Sequence, residues 1–138
     1  MRKLGGAIGR ASGLKMCYAA LTKGTAALHV ALLTAAEALG LSAALQAELE
    51  ASQPAARQSM QGLVGVPAKA FRWVGEMEEI ASTFASAGVP SGLHLGAADV
   101  FRLIAESPVG HERPEIVDRS RSLAELITIL ATYSNAPD

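Results

Sequence analysis

Residues 12–40 read SGLKMCYAALTKGTAALHVALLTAAEALG, and the fold class turns on this run. Between Met16 and Leu33 only Lys23 carries a charge, and no proline interrupts the stretch. Ser12 suits an N-cap, because its hydroxyl can accept a bond from an early backbone amide. Gly40 suits the left-handed position that ends a helix. One long helix over about 12–39 follows. Lys15, Tyr18, Thr22, Thr25 and His29 succeed one another at spacings of three, four, three and four, so they share one stripe. Nearly everything else is apolar or small, which predicts a buried, central helix. Ala19, Ala20, Gly24, Ala26, Ala27 and Ala31 would let neighbouring helices approach closely. Cys17, two positions from Lys15, points to another face and reads as a small buried hydrophobe. The stripe itself has two readings: a solvent face, or the polar lining of a cleft with Lys15 at its mouth.

Punctuation divides the rest of the chain. Ser42 caps a second helix through about Ser52, where Gln53-Pro54 breaks it. A short third segment covers about 55–63. Pro67 suits the first turn of a fourth helix through Ala87, ended by Gly88-Val89-Pro90. Residues 91–106 form a fifth, with Leu93, Ala97, Val100, Phe101 and Ile104 on one face. The polar, proline-broken stretch 107–121 is a surface loop. Ser122 with Glu125 makes a capping box for a last helix over about 123–133. No alternating strand pattern is present. The expected fold is all-α, a single-domain helical bundle (1–138) around one long central helix.

Composition sets further bounds. A net charge of −1 and a pI near 6.3 give no reason to propose nucleic acid or a membrane surface as partner. The single Cys17 excludes an internal disulfide and fits a reducing, cytoplasmic compartment. MRKLGGAIGR has a basic start, but glycines stand where a signal peptide needs apolar residues. GTAALHVALLTAAEALGL, residues 24–41, holds His29 and Glu37 and makes a poor spanning helix. Hydrophobic residues are 50% and charged ones 18%, against about 25% charged in a soluble domain. Such a surface implies a cover: a twin subunit, another domain, or both. His94 with Asp99 and His111 with Glu112 have no recognised metal-ligand spacing, so no metal is expected. Trp73, Phe71 and Met77 read as packing residues. Glu76, Glu78 and Glu79 read as a solvated face, with a carboxylate reaching Lys15 as the less common alternative.

GRASGLK, residues 9–15, resembles the G-x-G-x-x-x-K signature that opens the long interdomain helix of β-hydroxyacid and 6-phosphogluconate dehydrogenases. Gly9 stands at the first glycine, Ala11 at the second and Lys15 at the catalytic lysine. ASGLKMCYAALTKGTAAL and RWVGEMEEIASTFASAGVP are similar to one branch, a domain of uncharacterised function that follows a phosphogluconate-dehydrogenase-like NAD-binding domain. The likeness spans most of residues 5–105.

The resemblance implies a helical domain packed on an N-terminal NAD-binding domain and on a twin subunit, with a small-molecule substrate between the two domains. Lys15 would be the general acid/base that moves a proton as hydride is transferred. Gly9, Ala11, Ser12, Tyr18 and Thr22 would line the substrate side, the small residues allowing close backbone approach. NAD or NADP would be held by the partner domain: LGGAIG (4–9) has too few residues before it for the strand that feeds a dinucleotide loop. Two departures stand out. The family's asparagine four residues after the lysine is Ala19 here, and its second lysine has no match. They make a standard β-hydroxyacid a poor candidate substrate. The rival expectation is a non-catalytic helical module for dimerisation or small-ligand binding.

Overall fold

Helix α1 begins earlier than Ser12. In the computed structural model, which describes residues 6–137, it runs Gly6–Ala38. Ser12 therefore lies inside the helix and is not its N-cap. Nothing between Gly6 and Ser12 forbids helix, and serine is tolerated in a helix interior at a cost of a few tenths of a kcal/mol. Leu4 and Gly5 of the glycine-rich start lie outside the described residues, and the remainder of that stretch opens α1. At the other end the expectation holds: Gly40 has φ +73°. The Leu41 amide bonds the Ala36 carbonyl (2.7 Å) and the Gly40 amide bonds that of Glu37 (3.1 Å), a Schellman ending. The same pair of bonds ends α4 at Gly88.

The remaining elements are α2 (Ser42–Ser52), α3 (Pro54–Met60), a 3₁₀ segment (Gln61–Ala68), α4 (Ala70–Ser86), α5 (Gly92–Glu106) and α6 (Leu123–Ser134). The third expected segment thus divides into an α and a 3₁₀ part. Pro67 belongs to the 3₁₀ segment rather than to the first turn of α4. Ser42 is the first residue of α2 and makes no cap bond; its hydroxyl goes to the Glu37 carboxylate. The capping box is present on both sides: the Glu125 amide to Ser122 Oγ (3.1 Å), the Ser122 amide to Glu125 Oε1 (3.2 Å). The fold is an all-α bundle.

α4 and α5 form an antiparallel pair, with Trp73 edge-on to Phe101 (5.2 Å) and Phe84 edge-on to His94 (4.8 Å). This pair and α6 pack on the second half of α1. Val30 and Leu33 meet Met77, Ile80, Phe101, Ile104, Leu126 and Leu130 in one core, extended by Met60, Leu63 and Val66. Each such side chain, fully buried, contributes on the order of 1.5–3 kcal/mol. Three expectations are corrected here. α5 buries His94, Ala97, Ala98, Phe101 and Ile104, so its inward stripe passes through His94, while Leu93 is 79% exposed. α1 is central only in its second half, since no residue from Ile8 to Ala19 is buried. Cys17 lies in that uncovered half and is exposed.

The loop after α5 is tied down at one point. Glu112, 2% exposed in its side chain, takes a bidentate pair from Arg121 at 2.7 and 2.9 Å. Arg113 lies over the Phe71 ring at 3.8 Å and donates to the Gly110 and Glu112 carbonyls. Ser107, Val109 and Glu112 are buried in a segment that otherwise runs on the surface.

Candidate functional site

The polar stripe of α1 crosses three environments. Lys15, Tyr18 and Thr22 are exposed, Thr25 is half-buried and His29 is buried. The cause is length: the first turns of α1 reach past the ends of the helices that pack on its second half. Gly9 is half-buried, and Ala11 and Ser12 are exposed. Thr22 bonds only to its own helix, its Oγ1 donating to the Ala19 carbonyl at 3.4 Å. The sequence-predicted residues are thus gathered on one projecting segment. Within the described residues no second element encloses them.

Further along, α1 shares an open groove of about 610 Å³ with the first turns of α5. Ala20, Leu21, Gly24, Thr25 and Leu28 form one wall, and Gly92, Leu93 and Gly96 the other. The absence of a side chain at Gly24 lets the two helices meet: a Cβ there would lie 3.3 Å from His94 Nε2. Leu21 and Leu28 are 65% and 60% exposed beside it. Leu14, Tyr18, Leu21, Thr25 and Leu28 alternate spacings of four and three, the repeat of a helix-pairing seam. By length and composition Ile8–Ala38 is apolar enough to cross a membrane, yet its second half is the bundle's own core.

Two arrangements escape a reading of the sequence. Lys23, the lone charge of the apolar run, pairs with Glu76 of α4 at 2.8 Å and stands 5.4 Å from the Trp73 ring centroid, with Lys69 at 5.8 Å. A carboxylate does reach across from α4, but to Lys23 rather than Lys15. The isolation of Lys23 among apolar residues was the available hint, since a charge on an inward-turning face needs a partner. The other is the Glu112–Arg121 pair. Its hydrogen bond, the largest influence, raises the Arg121 pKa above its ordinary value. Burial acts on His29 in the opposite sense and holds it below the usual imidazole value of 6.5.

Half of the chain, residues 36–104, matches the model of a family described as a domain of unknown function, DUF1932. The chain belongs to the DUF1932 family. No curated protein and no solved structure matches it. The DUF1932 match opens at the last turn of α1 and runs through α5. It takes in Glu76, Trp73 and His94, while Lys15 and its neighbours precede it.

Proposed function

We propose that this DUF1932 chain is the substrate-binding and dimerisation half of an NAD(P)-dependent oxidoreductase of the 6-phosphogluconate and β-hydroxyacid dehydrogenase kind. Its substrate would be a hydroxyacid-like or phosphogluconate-like small molecule. One observation carries the reading. The face of α1 that bears Lys15 is uncovered, and Ile8, Leu14 and Tyr18 on that part of the helix are 67–88% exposed. A helix surface this apolar is built to be covered. A nucleotide-binding domain resting there would place the Lys15 amine at the boundary between the two bodies.

Nicotinamide supplies the hydride chemistry when bound. The part left to this chain is the proton: in oxidation Lys15 would accept it from the substrate hydroxyl, and in reduction return it to the carbonyl oxygen. Proton transfer at the reacting centre needs bulk water kept away, which a covering domain would do. The covering domain is therefore part of the catalytic apparatus in this reading. Gly9 and Ala11 leave room for ligand close to the helix backbone, and Ser12, Tyr18 and Thr22 supply hydroxyls along the same segment.

The test is steady-state turnover of the assembled enzyme with Lys15→Ala beside Lys23→Met. Loss of general acid–base catalysis lowers kcat about 10²- to 10⁴-fold, and the melting temperature of this chain by itself, in which Lys15 is exposed, stays unchanged. Lys23→Met, on a different contact, leaves kcat within about twofold of wild type. Equal turnover in wild type and Lys15→Ala would refute the assignment. A second reading, a non-catalytic dimerisation module, is favoured by the four–three seam of mostly exposed residues, which needs no cofactor to explain it.

A further inference from the structure

At the end of the bundle remote from Lys15, the last turn of α1, α2, α3 and the start of α6 enclose a polar cleft of about 450 Å³. Glu37 is 22 positions beyond Lys15 on α1, about 33 Å at 1.5 Å per residue, so this cleft is separate from the proposed catalytic region. Its volume lies in the range of small-molecule sites, about 300–1,000 Å³.

Two opposite charges, Glu37 and Arg57, face the cleft and are not paired with each other. Each is held by neutral neighbours instead. Glu37 accepts the Ser42 hydroxyl on one oxygen and, on the other, that of Thr128 (3.1 Å), whose single proton is shared with the Ala124 carbonyl (3.0 Å). Each carboxylate oxygen keeps a further lone pair. Arg57 donates from Nε to Gln46 Oε1 at 3.0 Å, which fixes the guanidinium plane. Its terminal Nη groups have no hydrogen-bond partner among the described residues. They form the planar fork that takes a carboxylate bidentately.

The start of α6 adds to the same wall. Ser122 Oγ caps the Glu125 amide, leaving the first-turn amides of Leu123 and Ala124 uncapped by it, at the positive end of the helix. The Glu125 carboxylate also sits there, turned back to its own N-cap amide. A half-buried cation and a half-buried anion, each immobilised and each with unused capacity, are complementary to one ligand that carries both charges.

We propose that this cleft binds a small zwitterion, a free α-amino acid or similar short amino-carboxylate. Its carboxylate lies on the Arg57 fork, and its ammonium on Glu37. Neither an anion nor a cation alone uses both walls.

Isothermal titration on the intact chain tests this, with the common L-α-amino acids as probes and acetate and methylammonium as single-charge comparisons. At least one amino acid binds, and acetate and methylammonium bind at least about tenfold more weakly, as expected for losing one charged hydrogen-bonded contact. Glu37→Gln, whose carbonyl oxygen keeps an acceptor for Ser42 while its amide can donate to the Thr128 hydroxyl, and Arg57→Lys, which keeps the charge and stem, each lower that affinity by about tenfold or more. The melting temperatures of both variants are read alongside, to show that they fold. Absence of binding by every amino acid, acetate binding as tightly as the amino acids, or unchanged affinity in both folded variants would overturn the proposal.

Discussion

Charged side chains of one type have unequal worth here, and burial decides which matter. Lys23–Glu76 is partly solvated, with 23% and 46% of the side chains exposed, so its removal costs less than about 1 kcal/mol. Glu112–Arg121 is bidentate and 8% or less exposed on both sides. Arg121→Met strands a buried carboxylate and lowers unfolding free energy by about 3–5 kcal/mol. Urea denaturation of the two variants side by side gives that ordering, and equal losses would contradict it. His29 supplies a pH dependence. Burial holds its folded-state pKa below 6.5, so below that pH the unfolded chain binds a proton that the folded chain resists. Stability therefore falls as pH drops from about 6.5 toward the folded value, and rises again on the way back. His29→Gln flattens the melting temperature between about pH 7 and pH 5; a slope equal to wild type would show that other groups carry it. Gly110 is a matter of space: a Cβ there would sit 1.8 Å from the Ala105 carbonyl oxygen. Gly110→Ala costs about 1–3 kcal/mol, measured in the same denaturation.

Elements differ in how far the sequence disclosed them. The Schellman ending at Gly40, the α2 range and the Ser122–Glu125 capping box follow from local chemistry, and local chemistry is what a short stretch carries. The failures are where a neighbour decides. Ser12 is a good cap that α1 passes over because nothing before it stops the helix. Leu93 looks like an inward residue, yet the stripe of α5 passes through His94, because Gly24 and Phe84 make room for an imidazole there. Cys17 reads as buried from its apolar surroundings, but it lies on the face of α1 turned away from the core that Met16 and Ala19 reach. Periodicity gives the stripe from Lys15 to His29; it gives no warning that the helix outruns its bundle. The prediction at this scale concerns the uncovered seam. Leu21→Glu with Leu28→Glu alters two largely exposed side chains, so helicity and melting temperature stay close to wild type. If the seam is the proposed twin-subunit contact, self-association falls at least about tenfold, since each leucine covered in an interface contributes on the order of 1.5 kcal/mol or more. Sedimentation equilibrium reads it, and an unchanged association constant would place the twin-subunit contact elsewhere.

For the whole molecule, shape and composition point the same way. A chain with 50% hydrophobic and 18% charged residues packs its core chiefly around the second half of α1 and leaves much of the first half exposed. The bundle supplies a rigid base, the projecting turns supply Lys15 and its hydroxyl neighbours, and the proposed reaction is divided between this body and one that holds the nucleotide. The polar cleft near Glu37 sits at the far end, where it would remain open in such an assembly. The central claim is tested most directly by calorimetric titration of NADH and NADPH into two proteins: this chain alone, and this chain joined to any nucleotide-binding domain found encoded in frame with it. The account predicts binding by the joined protein and none by residues 1–138 alone. Absence of binding in both would contradict it and leave α1 as a dimerisation helix.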